Sequence, residues 1–178
     1  YSASKISADQ LSISYWRSFS LPVKIIRPFN TFGPRQSSRA VIPSIIIQAL
    51  NSKIIKLGNL NTSRDYTYVS DVCNAYYELL KVKNIYGKPV NVGSNKEYKI
   101  HDIAKKIINL IDPKLKIKID KQRIRPIDSE VDRLKCDNKF FIKKSKWKPT
   151  ISFDQGLNKT IEWIQSQDNS ELSSIYNV

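Results

Sequence analysis

The sequence predicts an α/β fold, and its first thirty residues carry most of that prediction. Apolar side chains recur at near-helical spacing over residues 1–19, which predicts a helix packed on a sheet. These side chains are Ile6, Leu11, Tyr15, Trp16 and Phe19. Residues 23–27 then form an apolar run that indicates a mainly buried strand, and Pro28 should end its ladder because proline has no backbone donor. A helix followed by such a strand is typical of an α/β unit.

The rest of the chain continues this alternation of helices and strands. Residues 30–39 are rich in turn formers and predict a loop just past the carboxyl end of strand 23–27, the edge where ligands bind in open α/β sheets. Helices are predicted at residues 41–50, 72–80, 101–111, 138–145 and from 152 onward, and strands at 53–57, 64–69, 88–93 and 115–119.

Several helix starts carry local signals. Pro43 lies in the first turn of helix 41–50, where proline is tolerated, and Asp71 is placed to cap helix 72–80. Residues 152–155 have the pattern of a capping box. The apolar stripe of helix 72–80 includes Tyr76, so the aromatic side chains there are expected in the core rather than against a ligand.

The chain is strongly basic, with a formal net charge of +14 at pH 7 and a sequence pI near 9.8. Its lysines are scattered, and in residues 114–119 they alternate with apolar residues as in a strand with one wet face. The dense cluster at residues 143–148 is explained by a solvated helix end. No nucleic-acid partner is therefore expected, and a nucleotide diphosphate is a smaller anion that the same charge would serve.

Other features of the composition narrow the classes of function. Cys73 and Cys136 lack metal-ligand spacing and His101 is the only histidine, so no metal site is expected, and free cysteines favour the cytoplasm. No apolar run approaches the roughly 20 residues of a membrane span, so no membrane partner is expected. The chain contains no methionine, which suggests the C-terminal part of a longer protein.

Tyr1 and Lys5 form a candidate acid/base pair. They are four residues apart, so in a helix both side chains rise from one face about one turn apart. A free phenol has a pKa near ~10, and an ammonium held close by favours the ionised phenol, which brings proton exchange with a substrate hydroxyl closer to neutral pH. The same spacing is more often a solvated helix face, so the surrounding motifs decide between the two interpretations.

Six motifs in this order resemble the extended short-chain dehydrogenase/reductase family of NAD-dependent nucleotide-sugar epimerases and dehydratases. They are YSASK at residues 1–5, RPFNTFGPRQ at 27–36, VIP at 41–43, RDYTYVSDV at 64–72, NVGS at 91–94 and RPID at 125–128. The similarity extends to about residue 165. The family's Gly-rich dinucleotide turn and its catalytic Thr or Ser have no counterpart in these residues, and we expect them upstream of Tyr1.

The resemblance implies a fold and a division into domains. Residues 1–36 and 64–95 would be the C-terminal part of a Rossmann-type doubly wound parallel sheet that binds NAD. Residues 37–63 and 96–166 would be a smaller α/β domain that binds a nucleotide sugar, and residues 167–178 would be a tail. Because family members are commonly dimers whose interface includes the helix that begins at Tyr1, the full-length protein is expected to be a homodimer.

The resemblance also implies the site residues. Tyr1 and Lys5 would be catalytic and would contact NAD, and Pro28 and Phe29 would lie near the nicotinamide. The implied substrate-binding residues are Asn30, Val41, Ile42, Pro43, Arg64, Arg125 and Asp128. In this set the two arginines would hold the diphosphate, because a guanidinium stays charged and donates in a planar fork.

The implied reaction is that of a nucleotide-sugar 4,6-dehydratase. Residues 30–43 and 125–134 are similar to dehydratases that act on nucleotide-linked N-acetylglucosamine in nonulosonic, legionaminic-type acid pathways. A nucleotide-sugar 4-epimerase is the alternative, because the acidic residues that separate the two reactions in the family would lie upstream. The piece alone is expected to be inactive, and a non-catalytic sugar-nucleotide-binding remnant is a further alternative.

Overall fold

The computed structural model of the protein describes residues 1–167, and the predicted tail lies outside the described residues from residue 168 onward. The helices are α1 (Ser2–Phe19), α2 (Val41–Asn51), α3 (Val69–Lys81), α4 (Ile100–Ile111), α5 (Lys139–Ser145) and α6 (Phe153–Gln165). The strands are β1 (Ile25–Pro28), β2 (Asn30–Phe32), β3 (Ile54–Leu57), β4 (Ser63–Tyr68), β5 (Pro89–Val92), β6 (Glu97–Lys99), β7 (Lys116–Ile119) and β8 (Arg133–Leu134). Short 3-10 turns occupy Lys121–Arg123 and Ile127–Ser129.

Most strand pairs are parallel, which confirms the predicted α/β class. β1 pairs with β5, β2 with β4, β3 with β7 and β8 with β4 in parallel, whereas β6 is antiparallel to β4. β4 is therefore the central strand of its sheet, with Tyr66 opposite Asn30 in β2 and Arg64 opposite Tyr98 in β6. The predicted domain boundaries remain a prediction.

The larger core cluster joins α2, α4 and α6 to β4. Helix α2 buries Ile42, Ile45, Ile46 and Ile47, and each such side chain contributes roughly 1.5–3 kcal/mol when it is removed from water. Helix α6 begins with the predicted capping box, in which Ser152 Oγ accepts from Gln155 N and Gln155 Oε1 accepts from Ser152 N. The predicted substrate-binding residues of α2 pack in or against this cluster.

The smaller core cluster joins α3 and α5 to β5. Phe141 and Trp147 are its largest side chains, and Trp147 Nε1 donates to the backbone carbonyl of Asp71 at 3.0 Å. Trp147 thus lies in the core, although it belongs to the lysine-rich segment 143–148. The lysines of that segment are exposed at the end of α5, as predicted.

Helix α1 has the predicted bounds but not the predicted burial. None of its residues is buried, and Ile6, Leu11, Tyr15 and Phe19 are exposed. Trp16 is half-buried, and its ring lies where a Cβ at Gly87 would be, 2.2 Å from the indole. The reason is geometric: α1 is about 27 Å long, and within residues 1–167 the sheet beside it has only the two strands β1 and β5.

Three further predictions are corrected. Residues 30–32 form β2 instead of a loop, because β4 offers them a parallel partner. Asp71 does not cap α3, which begins at Val69; its buried carboxylate instead accepts from Thr150 Oγ1 at 2.7 Å and Ile151 N at 2.9 Å. Tyr76 is exposed rather than in the core.

Candidate functional site

A cavity of about 380 Å³ opens at the carboxyl end of β3 and the first residue of β2, beside the start of α2. Its wall is formed by Asn30, Gln36, Arg39, Ala40, Val41, Ile42, Ser44, Leu57, Gly58, Asn59, Thr62, Arg64, Tyr66, Ile100, Arg123, Arg125 and Glu130. Helix α2 can begin here because Pro43 needs no donor in the first turn. The cavity thus lies where strand ends, a helix start and the segment before β8 meet.

Arginine dominates the charge of this cavity. Its wall carries four guanidinium groups, from Arg39, Arg64, Arg123 and Arg125, and one carboxylate, from Glu130. Arg64 Nη2 lies 3.2 Å from Glu130 Oε1, and these side chains are only 14% and 16% exposed. Arg123 Nε also lies 3.3 Å from Asp120 Oδ2, so Arg39 and Arg125 supply the surplus positive charge. Such a surplus suits a ligand with more than one negative charge, such as a diphosphate.

The strand β4 is positioned by a buried carboxylate on its other face. Asp65 is fully buried and accepts hydrogen bonds from Ser94 N, Ser94 Oγ and Cys136 N at 2.8, 2.7 and 3.1 Å. Because side chains alternate along a strand, fixing Asp65 on one face presents Arg64 and Tyr66 to the cavity on the other. Burial raises the pKa of Tyr66 to about 12, so its phenol stays neutral.

Two further residues shape the cavity: Gln36 contributes a polar side chain, and Gly58 allows a close backbone contact. Gln36 Nε2 donates to the Thr31 carbonyl at 2.8 Å, and its buried Oε1 has no hydrogen-bond partner among the described residues. A Cβ at Gly58 would lie 2.2 Å from the Arg123 carbonyl oxygen, so the loop after β3 packs directly on the segment that carries Arg123. Gln36 therefore offers a fixed acceptor to a ligand.

The structure brings five of the seven predicted substrate-binding residues to this cavity. Asn30, Val41, Ile42, Arg64 and Arg125 line it. Pro43 is buried behind the wall, and Asp128 is exposed and does not line it, whereas Glu130, two residues further on, does. The binding roles of all seven remain predictions.

The predicted catalytic and cofactor residues lie outside this cavity. Tyr1 is the N-cap of α1 and is 93% exposed, and Lys5 Nζ lies 5.4 Å from the centroid of its ring. The two side chains therefore share one face, as the spacing predicts. Pro28 and Phe29 are at the end of β1, where Phe29 N donates to the Val92 carbonyl at 2.8 Å, one residue beyond the expected end of the ladder.

Sequence reasoning missed four residues of the cavity wall that carry charge or a fixed acceptor: Gln36, Arg39, Arg123 and Glu130. Gln36 is the last residue of the motif at 27–36, which was the available signal. Arg123 and Glu130 belong to the hydrophilic segment between β7 and β8, and only the folded chain places that segment over the loop after β3. The described residues contain no group of three or more His, Cys, Asp or Glu side chains that could hold a metal ion, and no helix among them is long and apolar enough to cross a membrane.

Comparisons of sequence and of structure both match this chain to nucleotide-sugar 4,6-dehydratases. The family model for GDP-mannose 4,6 dehydratase matches residues 1–160. The chain is 34% identical over 175 residues to the dTDP-glucose 4,6-dehydratase of Escherichia coli and 32% identical over 169 residues to the dTDP-D-glucose 4,6-dehydratase of Homo sapiens, covering 92% of this chain and 47% of each relative. The chain thus spans about half the length of these relatives.

Solved structures of similar shape include enzymes with bound cofactors. The dTDP-glucose 4,6-dehydratase of Bacillus anthracis, in complex with NAD, superposes with a TM-score of 0.84 and 28% identity, covering 95% of this chain and 53% of that one. RMD from Pseudomonas aeruginosa, complexed with NADPH, has a TM-score of 0.83 and 29% identity, covering 93% and 56%.

Proposed function

Because the chain belongs to the GDP-mannose 4,6 dehydratase family, we propose that it supplies the substrate-binding side and the Tyr–Lys pair of an NAD-dependent nucleotide-sugar 4,6-dehydratase. The proposed activity is that of a polypeptide in which these residues are joined to a Gly-rich dinucleotide turn, which the 178 residues do not contain. The observation that carries the proposal is the arginine-lined cavity beside Asn30.

The cavity is proposed to bind the nucleotide diphosphate of the substrate. Arg64 is the central residue, because its side chain is mostly covered and already lies 3.2 Å from a carboxylate oxygen of Glu130. A phosphate oxygen entering the cavity would compete with that carboxylate for the same guanidinium. Glu130 would then be free to accept from a neutral hydroxyl of the ligand.

Tyr1 and Lys5 are proposed to act on the sugar. Both side chains rise accessibly from the first turns of α1, so they fit the nicotinamide end of a cofactor. When bound, NAD would accept the hydride from sugar C4. After the C5 proton and the C6 hydroxyl leave as water, the same hydride would return to C6 and a proton would add to C5. Tyr1 would take the proton of the C4 hydroxyl, and Lys5 would favour the ionised phenol and hold the nicotinamide ribose. Pro28 and Phe29 would border the nicotinamide at the end of β1.

For the substrate we propose a nucleotide-linked N-acetylglucosamine of the legionaminic-type pathways. The support is the sequence similarity of residues 30–43 and 125–134 to dehydratases of that class. A second support is Gln36 Oε1, which has no partner among the described residues and could accept the N–H of an acetamido group. A nucleotide-sugar 4-epimerase is the alternative, because the Tyr–Lys pair serves both reactions. The products separate them: a 4-keto-6-deoxy sugar or a C4 epimer, seen by NMR.

The protein is proposed to act as a cytoplasmic homodimer. Cys73 and Cys136 are free thiols, which suits a reducing compartment. The exposed apolar side chains of α1 are a surface that a second copy could cover. Sedimentation velocity of the full-length protein would test the dimer, and a monomer at micromolar concentration would contradict it.

The experiment that tests the cavity is calorimetric titration of the 178-residue chain with UDP, dTDP and GDP. In Arg64→Ala we expect affinity to fall by roughly 10- to 100-fold, because one charge-assisted hydrogen bond is lost and Glu130 is left unpaired. Arg17→Ala, on the exposed surface of α1, is the matched control for charge and should change affinity less than twofold. Binding without turnover in the full-length protein would favour the non-catalytic remnant, and no binding of any nucleotide would overturn the proposal.

A further inference from the structure

A second cavity, of about 350 Å³, lies on the other side of Tyr66 from the first. Its wall is formed by Phe32, Tyr66, Thr67, Tyr68, Ser94, Lys96, Tyr98, Pro149, Thr150, Ile151, Ser152, Phe153 and Asp154. Tyr66 is the single residue that this wall shares with the first cavity. The proposed dehydratase activity makes no use of this space.

The second cavity exists because β6 is shorter than β4. β6 pairs with β4 only over Ser63–Asp65, so residues 66–68 have a strand partner only on the β2 side. The segment 149–152, which leads into α6, crosses near this open edge without pairing to it as a strand. The result is a gap at the end of a sheet rather than a packing defect inside a core.

The walls of the gap are aromatic and preformed. Tyr98 and Phe153 stack with their ring centroids 4.1 Å apart, and Phe32 lies 5.2 Å from Phe153. Gly156 lets α6 approach this cluster, because a Cβ there would lie 2.7 Å from Tyr68 Cδ2 and 2.8 Å from Phe32 Cζ. Such interlocked rings keep their shape when a ligand is absent, which lowers the cost of binding.

One buried hydroxyl in this wall has no partner. Thr67 is 2% exposed, and its Oγ1 makes no hydrogen bond to any of the described residues. The neighbouring hydroxyls are engaged: Ser94 Oγ donates to Asp65 Oδ1 at 2.7 Å, and Thr150 Oγ1 donates to Asp71 Oδ1 at 2.7 Å. An unpaired buried polar group is unfavourable, so a ligand that bonds to Thr67 removes a penalty already present in the fold.

The charge of the second cavity differs from that of the first. Its wall carries one ammonium, on Lys96, and one carboxylate, on Asp154, whose Oδ1 lies 2.7 Å from Lys106 Nζ. Burial raises the pKa values of Tyr66, Tyr68 and Tyr98, so these phenols remain neutral donors and acceptors at neutral pH. The wall therefore suits a ligand without net charge that both donates and accepts hydrogen bonds.

We propose that this cavity is a second ligand site, which binds an uncharged hexose ring between its aromatic wall and the Thr67 hydroxyl. The C–H faces of such a ring pack on aromatic side chains, and its hydroxyls match Thr67 and the tyrosine phenols. The ring can belong to a free sugar or to the end of a glycan. Because Tyr66 alone is common to both cavities, the second site is separable from nucleotide binding by mutation.

The test is a ¹H–¹⁵N NMR titration of the 178-residue chain with D-glucose, maltotriose, glucose 6-phosphate and adenine. We expect shift changes at residues 66–68, 94–98 and 149–154 with glucose or maltotriose, at a dissociation constant on the order of 1 mM. Response to maltotriose alone assigns the site to a glycan end, and response to glucose assigns it to a free sugar. Tighter, salt-dependent binding of glucose 6-phosphate, stronger binding of adenine, or no shift change up to 50-fold above that value (about 50 mM) overturns the proposal.

Thr67→Val is the matched variant, because valine has the same shape and lacks the hydroxyl. It should weaken hexose binding by roughly 2- to 10-fold, leave UDP affinity unchanged and keep the melting temperature equal or higher, since an unpaired group is removed. Arg64→Ala should show the reverse, with weakened UDP binding and unchanged hexose binding. Equal hexose affinity in Thr67→Val and the parent chain would remove Thr67 from the site and contradict the proposal.

Discussion

The two groups of predicted site residues occupy very different surroundings. Around Arg64, strands β2 and β4 and helix α2 meet on a closed core, and the guanidinium and its partner are mostly covered. Around Tyr1, helix α1 runs over a two-stranded sheet with no buried residue of its own. The difference teaches that the proposed nucleotide-binding residues are enclosed by the described part of the chain. The proposed catalytic pair, Tyr1 and Lys5, is present but exposed to solvent.

Enclosure matters because electrostatic effects grow as water is excluded. The Tyr1 and Lys5 side chains are both exposed, so solvent and salt screen the interaction between them. Arg64 and Glu130, in contrast, interact in a partly desolvated cavity. We therefore expect nucleotide binding to be a property of this chain and proton transfer to be a property of a larger assembly.

The largest effect is expected for Tyr1→Phe, measured in a polypeptide that joins these residues to a Gly-rich dinucleotide turn. We expect turnover to fall by roughly 10²- to 10⁴-fold, because the group that accepts the C4 proton is lost, while nucleotide affinity changes less than twofold. Tyr15→Phe, on the same helix, is the matched control and should keep the parent rate. Steady-state kinetics with calorimetry measure both quantities. A near-normal rate in Tyr1→Phe would remove Tyr1 from the mechanism.

A buried aspartate of α3 should stabilise the fold more than an aspartate of α1 does. Asp71→Ala removes two charge-assisted hydrogen bonds from a buried carboxylate and should lower the free energy of unfolding by about 3 kcal/mol. Asp9→Ala removes the partly exposed ion pair of α1 with Arg27, in which the Arg27 side chain is 49% and the Asp9 side chain 19% exposed, and should cost at most about 1 kcal/mol. Urea denaturation compares the two variants. Equal losses would show that α1 is as firmly held as the core.

The smallest effect is expected at acid pH, at the edge of the enclosed region. Glu97 accepts from both Arg133 and Ser63, and these hydrogen bonds lower its pKa from 4.5 to about 2. Between those values the unfolded chain binds the proton and the folded chain does not, so the stabilisation from Glu97 is complete above pH 4.5 and is lost as the pH falls to about 2.

Glu97→Gln should therefore flatten the fall in stability between pH 4.5 and 2. Thermal unfolding at intervals of half a pH unit measures it. Glu162→Gln, an exposed carboxyl on α6, is the control. An unchanged slope in Glu97→Gln would mean that the contact with Arg133 does not persist in solution.

The elements that the sequence predicted well are those whose burial follows from local periodicity. Helix α4 places its isoleucines on one side by spacing alone, and the capping box at residues 152–155 is a purely local pattern. The arginine at position 64 was likewise predictable, because a family motif surrounds it. In these cases nearby residues contain the information.

The errors share a different cause, which is contact between distant segments. Asp71 looks like an N-cap until Thr150 and Ile151 arrive from 80 residues away, and residues 30–32 look like a loop until β4 is beside them. Glu130 enters the cavity only because the segment after β7 folds back over Gly58. Local spacing carries no signal for such pairings.

The contact between Trp16 and Gly87 links two positions that are distant in sequence. Gly87 has φ +66° and no room for a Cβ beneath the indole, so a side chain there would displace the Trp16 ring and, with it, α1. Displacing α1 would tilt the line from Trp16 to Tyr1, about 15 residues or ~22 Å along one rigid helix. Adding a single carbon at Gly87 would thus displace the N-terminal end of α1. A position remote from the reacting sugar therefore controls where the Tyr1 side chain lies.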